Sequence, residues 1–286
     1  MSAQPAAAPA PRATGGGHES HRSESWLAVA VQMVAADMLK LRRRLGTVIW
    51  SLVLALGPLV VYFIVRAAQH SSNPSKYEAA GGVHGFPDAL RLLALFFGPL
   101  AGILIGVEGG AGDAAAGVFR DLVATGRSRL ALFAARVPAA LALSLALTVA
   151  GYAVLALGTY ALASGTPTPD AALMLNGFGL SVLSICAVSA VAVGFASLTN
   201  SRPAALTALI GWQLVASPII AGISSLGSSR NLLLSQAVAH FSPIALNGGR
   251  HGATVNMSQG TALAVIAGWL VVFLALGAWR TRTMDA

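Results

Sequence analysis

Six long apolar runs constrain this chain more than any other feature of it. They are Gly46 to Val65, Leu90 to Val107, Leu132 to Ala161, Leu173 to Leu198, Ala204 to Ile223 and Thr261 to Trp279. A helix crosses a hydrocarbon core with about 20 residues, and each run is of that order or longer. None alternates with the period of two that a membrane barrel requires. Backbone amides left unpaired in lipid are costly, so such runs must close their hydrogen bonds within a helix. The sequence therefore predicts an all-α, polytopic membrane protein with six transmembrane helices. Composition agrees: of 286 residues, 56% are hydrophobic and 10% charged, where soluble domains carry about 25% charged residues. Pro58, Pro99, Pro138 and Pro218 fall inside the runs, where neighbouring helices can satisfy the carbonyls they free. The length accommodates one membrane domain, residues 26–286, and little else.

The flanking segments set orientation. Residues 1–25 are rich in Ala, Pro, Gly and Ser without apolar period, and read as a disordered tail. The first apolar run begins too late and runs too long for a secretory signal. From Trp26 to Arg44, the residues Trp26, Val29, Ala30, Met33, Val34, Met38 and Leu41 recur at helical spacing, interrupted by Asp37. The segment ends in Lys40, Arg42, Arg43 and Arg44, as in an amphipathic helix lying at a membrane surface with its basic end near anionic lipid head groups. With the amino terminus inside, 13 of the 18 Lys and Arg fall on the cytoplasmic side, so the positive-inside rule puts both termini in the cytoplasm of a multi-pass cell-membrane protein. The net charge of +8 is thereby an orientation signal rather than a mark of nucleic acid binding.

Three connections are long: 67–89 and 224–260 outside, and 108–131 inside. The apolar stretch Asn231 to Ala245 within 224–260 is too short to span, and reads as re-entrant or interfacial helices bent at Pro243. Catalytic chemistry is sparse. Lys40 and Lys76 are the lysines, and neither lies in a Walker loop. The central parts of the six runs hold no Asp, Glu, Lys, Arg or His, which argues against ion coupling at the midplane and against general acid–base catalysis there. The histidines form no HExxH, and Cys186 is the one cysteine, so no metal site is expected. Within the runs, Ser144, Thr148 and Tyr152 share a face, as do Gly177, Ser181 and Ser184, in patterns typical of helix packing. Gln213 and Ser217 share another, and Gln213 is the larger polar group, suited to lining a pathway.

The informative connection runs from Glu108 through Gly117-Val118-Phe119-Arg120 to Gly126-Arg127-Ser128-Arg129. Residues 114–124 can form a short helix with Asp113 as N-cap, an apolar face on Val118 and Leu122, and Gly126 as its stop. Force applied to such a helix would reach the runs on both sides of it.

With the basic amphipathic helix, six runs with both ends inside and the long apolar loop before the sixth, this segment resembles the ABC-2 type permease family, the membrane subunit of ATP-binding cassette transporters. The glycine, the hydrophobic pair and the terminal Ser128-Arg129 are similar to that family's coupling region. The resemblance implies that Glu108, Gly117, Phe119, Arg120, Leu122, Gly126, Arg127 and Arg129 form the interface with a separate ATPase. It makes Trp26, Asp37, Lys40, Arg42, Arg43 and Arg44 part of a connecting helix, and implies a pathway along the second and fifth spans near Phe96, Phe97, Gln213 and Ser217. It also implies a second permease copy, most simply in a homodimer, and ATP and Mg bound by the partner rather than by this chain. The expected function is transport, in the direction of export, of a cargo the residues do not name. The rival expectation is a membrane-embedded enzyme at the cytoplasmic face, such as a lipid head-group phosphotransferase using Asp113, Arg120 and Asp121. Metal-dependent transfer needs a cluster of carboxylates, and only Glu108, Asp113 and Asp121 stand on that face. A non-catalytic membrane scaffold is the remaining alternative.

Overall fold

The structure, a computed structural model, describes residues 26–115, 117, 128–244 and 257–283. Among the described residues there are helices and turns but no strand. Six helices are long and apolar enough to cross a membrane: Leu45–Ser72, Gly82–Asp113, Arg129–Ala161, Ala171–Thr199, Arg202–Gly222 and Gln259–Thr283. The protein is an all-α, multi-pass membrane protein. A separate helix, Trp26–Arg43, precedes the first span.

Spans two and four form the centre, each with 67% of its apolar stretch buried, against 22%, 17% and 17% for spans one, five and six. A glycine ladder explains the central pair. Gly98, Gly102, Gly106 and Gly110 recur every fourth residue along one face of span two and lie directly against span four. A Cβ on Gly102 would stand 2.8 Å from the Ile185 carbonyl oxygen, and one on Gly106 or Gly110 would collide with those of Ser189 and Val193. Small residues at helical spacing let membrane helices approach backbone to backbone. Span three joins this pair through Ser144 Oγ, which donates to Ser189 Oγ at 2.9 Å. Thr148 and Ser181 donate to carbonyls one turn back in their own helices, and Tyr152 Oη donates to the Met174 carbonyl. These buried polar groups are packing elements, satisfied internally.

Span one presents Thr47, Ser51, Ala55, Leu59 and Phe63 inward, one residue per turn. Span six meets span four where Gly194 and Gly277 stack their backbones. An aromatic column of Trp212, Trp269, Phe273 and Phe195 links spans five, six and four, with successive ring centroids 5.8, 5.3 and 5.9 Å apart. Two spans contain a π-helical turn, Leu92–Phe97 in span two and Trp212–Ala216 in span five. Such widened turns occur mainly where a helix serves a function beyond packing.

The helices outrun the apolar runs. The first span continues to Ser72 and the second begins at Gly82, so the connection expected over 67–89 shrinks to a turn over 73–81. Gly81 N–H donates to the Leu162 carbonyl (2.9 Å) and Val83 N–H to that of Pro167 (2.9 Å), which clamps this turn against the one between spans three and four. In the connection before span six, a 3-10 helix, Ser224–Leu232, and a short α-helix, Leu234–Ala239, meet at Leu233, whose extended backbone makes the break. The break thus precedes Pro243, which lies in the turn that follows. Trp269 Nε1 donates to the Leu232 carbonyl (2.8 Å), and Ser217 and Ser235 share a hydrogen bond of 2.7 Å, fastening this connection to spans five and six.

Candidate functional site

Span two carries its charges inside the helix rather than after it. Glu108 and Asp113 both precede the helix end at Ala115. Asp113 is therefore not the N-cap of a new helix at residue 114, and Glu108 is not a loop residue. Both corrections have one physical cause: each carboxylate is neutralised by cations from other helices, so the helix continues where hydropathy alone would end it.

Glu108 has a fully buried side chain. Its Oε2 lies 2.9 Å from Arg202 Nη2 and accepts a hydrogen bond from Thr47 Oγ1 at 3.1 Å, while its Oε1 is ion-paired with Arg44 Nη1. Among the described residues Oε1 accepts no hydrogen bond, and the Arg44 guanidinium is its counter-ion. Arg202 Nη2 also donates to Thr47 Oγ1 (3.2 Å), and Arg44 Nη2 to the Gly112 carbonyl (3.1 Å). Five residues on, Asp113 Oδ2 accepts from Arg136 Nη2 (3.1 Å) and faces Lys40 Nζ at 3.6 Å. Lys40 Nζ reaches Asp37 Oδ1 at 2.8 Å. Arg136 is 5% exposed and its Nη1 donates to the Gly110 carbonyl (3.3 Å), which also accepts from Ser197 Oγ (3.2 Å).

Local sequence places each cation. Leu41-Arg42-Arg43-Arg44-Leu45 breaks the chain between the N-terminal helix and span one, with Arg44 in a non-helical conformation whose N–H donates to the Leu41 carbonyl (3.2 Å). Asn200, left-handed at φ 52°, ends span four, and Ser201 caps span five by accepting from Ala204 N–H. That two-residue turn delivers Arg202 to Glu108. Ser128 caps span three by accepting from Ala131 N–H (3.1 Å), two turns before Arg136.

The result is a joint in which Asp37, Glu108 and Asp113 meet Lys40, Arg44, Arg136 and Arg202, three negative charges against four positive. It ties the N-terminal helix and spans one, three and five to span two. The cavity among Asp37, Lys40, Leu41, Arg44, Glu108, Gly109, Gly112, Asp113 and Arg136 measures about 20 Å³, room for about one water molecule. It is too small for a substrate.

The other expected site residues are distributed as follows. Trp26, Asp37, Lys40, Arg42 and Arg43 lie on the N-terminal helix, with Arg42 and Arg43 exposed. Phe119, Arg120, Leu122, Gly126 and Arg127 lie outside the described residues, as does most of the short helix expected over 114–124. Gly117 is an exposed turn residue with φ +69°. Arg129 opens span three, and its Nη1 lies 3.4 Å from the Arg282 carbonyl at the end of span six. Glu108, which the resemblance places at a partner interface, is buried against Arg44, Arg202 and Thr47. Phe96 is exposed on the π turn of span two, and Phe97 is partly buried against the same core cluster that Leu209 and Ile210 of span five pack against. Ser217 is buried on Ser235. Gln213 sits half-buried at the middle of span five, with no hydrogen-bond partner among the described residues.

Sequence reasoning missed Arg136, Arg202, Thr47 and Ser197. Arg136 carried a signal, being a charge already one turn inside an apolar run. The others gain meaning only from contacts between distant segments. No protein-family model matches the chain, and no curated protein matches it.

Proposed function

We propose that the chain is the permease subunit of an ABC-2 type ATP-binding cassette transporter, exporting its cargo across the cytoplasmic membrane with energy from a separate ATPase subunit. The observation that carries this reading is the buried ion-pair joint at the end of span two, directly before residues 116–127. A subunit that receives its energy from outside needs a stiff link from the point of contact to the spans. Asp113 and Glu108 supply one, since displacement of the helix end is shared through Arg136 with span three, through Arg202 with span five and through Lys40 and Arg44 with the N-terminal helix. On this reading the joint faces the cytoplasm, Phe119, Arg120, Leu122 and Arg127 meet the ATPase, and ATP and Mg bind there. The short helices over 224–239 are then the external re-entrant segment.

Gln213 supports a pathway along span five. An amide within a span and without a partner among the described residues is suited to water or a second subunit beside it, as a permease dimer provides. A head-group phosphotransferase is disfavoured, because Glu108 and Asp113 are already neutralised and their cavity admits no substrate.

Purification of the full chain from its native membrane tests the proposal. A stoichiometric ATPase is expected to accompany it, and to be lost on Phe119→Ala or Arg120→Glu while the chain still elutes as a single folded species. Turnover of a lipid or nucleotide by the isolated chain, or a pure chain with no ATPase bound under mild detergent, overturns it.

A further inference from the structure

We infer that the Glu108–Arg202 contact is a releasable latch, which holds the inner half of span five, Arg202–Gly211, against span two and frees it when the latch opens. Within the permease reading, the latch is the inner gate of the pathway between these two spans, and that assignment of role rests on that reading.

Four observations support release at this contact rather than at its neighbours. First, Glu108 has two counter-ions, Arg44 from the junction before span one and Arg202 from span five. Removing the sole partner of a buried carboxylate strands its charge; with Arg44 in place, Arg202 can leave and Glu108 stays neutralised. Second, Arg202 is ready for water. Its side chain is 40% exposed, whereas Arg136 on Asp113 is 5% exposed and locked to the Gly110 carbonyl as well.

Third, nothing local to span five favours arginine at that position. A cation in the first turn of a helix opposes the helix dipole, and the Glu108 carboxylate offsets that cost for Arg202. Fourth, the inner half of span five is shallowly packed and jointed. Of its residues only Ala205 is fully buried, in a cluster with Val107 and Ala111 of span two and Ala192 and Ala196 of span four, against which Leu206, Leu209 and Ile210 are partly buried. The π turn Trp212–Ala216 and Pro218 follow, a weakened stretch of helix suited to bending. Beyond it the outer half is pinned by Ser217 to Ser235 (2.7 Å) and by the Ala221 carbonyl, which accepts from Arg230 Nη1 (3.2 Å).

The geometry thus separates span five into an anchored outer half and a hinged inner half with one electrostatic fastening. Opening the latch exposes the Ala205 contact to the water on that side of the membrane.

The test places a cysteine at that contact. In a Cys186→Ala background, Ala205→Cys is introduced into the full chain, reconstituted in lipid vesicles, and its labelling by a membrane-impermeant maleimide is timed. With Arg202 intact the buried thiol reacts slowly. Arg202→Met is expected to speed labelling by about tenfold or more, since the rate follows the population of the open form. Arg202→Lys is expected to keep most of the protection, and Arg44→Met to speed labelling far less than Arg202→Met. Thermal unfolding of each variant verifies that the bundle is intact, and Val107→Cys provides a second thiol on the facing helix should Ala205→Cys itself disturb packing. Labelling that is unchanged by Arg202→Met at both thiols, or raised equally by Arg44→Met, overturns the latch. The experiment needs no ATPase, so its failure leaves the permease reading standing, and loss of the ATPase partner leaves the latch standing.

Discussion

Removing the charge of Glu108 should destabilise the native protein yet stabilise a variant that lacks both of its arginines. In the native joint, Glu108→Gln leaves Arg44 and Arg202 without their anion, but their side chains are 36% and 40% exposed and can turn to water. The cost is the lost ion pairs offset by that solvation, about 1–2 kcal/mol. Arg44→Met with Arg202→Met is different in kind, because it leaves a fully buried carboxylate with only the Thr47 hydroxyl. Breaking a buried pair from that side costs about 3–5 kcal/mol. Adding Glu108→Gln to the double variant removes the stranded charge, so the triple variant is expected to recover about 2 kcal/mol or more of that loss. Heat-induced loss of the monodisperse species in detergent, followed for the native chain and these three variants, measures the order. A triple variant no more stable than the double one would refute the account of Glu108 as a charge held by its two arginines.

Further expectations follow from other parts of the bundle. Gly106→Ala forces a methyl group into the Ser189 carbonyl and should destabilise by about 1–3 kcal/mol, whereas Gly179→Ala, with open space at its Cβ, should be nearly neutral in the same thermal assay. Ser144→Ala removes the hydroxyl bonded to Ser189 and should cost about 1 kcal/mol; a neutral result in the thermal midpoint would show that this contact contributes nothing. For orientation, a single cysteine at Arg43 should react with impermeant maleimide only in inside-out vesicles, and one at Lys76 only in right-side-out vesicles; the reverse pattern would invert the proposed topology. Gln213→Leu should weaken association of two copies, seen as a lower yield of cross-linked dimer, and an unchanged yield would remove Gln213 from the interface between them.

The six spans were legible because lipid demands long apolar helices, and that demand acts on each run alone. The span ends were not. Hydropathy stops at Val107 and resumes at Leu132, while the helices extend to Ala115 and begin at Arg129. Glu108 and Asp113, beyond the second run, and Arg136, inside the third, are tolerated because each is neutralised across helices, which is a property of pairs far apart in sequence. Arg202 illustrates the same point. In the sequence it counts as one more positive-inside arginine, and its role depends on the tight Asn200-Ser201 turn that brings it to Glu108. The glycine ladder was visible as spacing, with Gly98, Gly102, Gly106 and Gly110 at intervals of four, but its partner on span four could be named only from the packing. Ser144, Thr148 and Ser181 read as packing residues and are buried as such.

The ladder also provides a fixed length inside the molecule. Where Gly102, Gly106 and Gly110 meet backbone carbonyls of span four, few side-chain rotamers can alter the separation, so spans two and four are expected to move as one plate. On the permease reading, probes placed across this plate, one on each helix, should report the same distance with and without nucleotide or cargo. Motion of every other span can then be measured against it as against a ruler built into the protein.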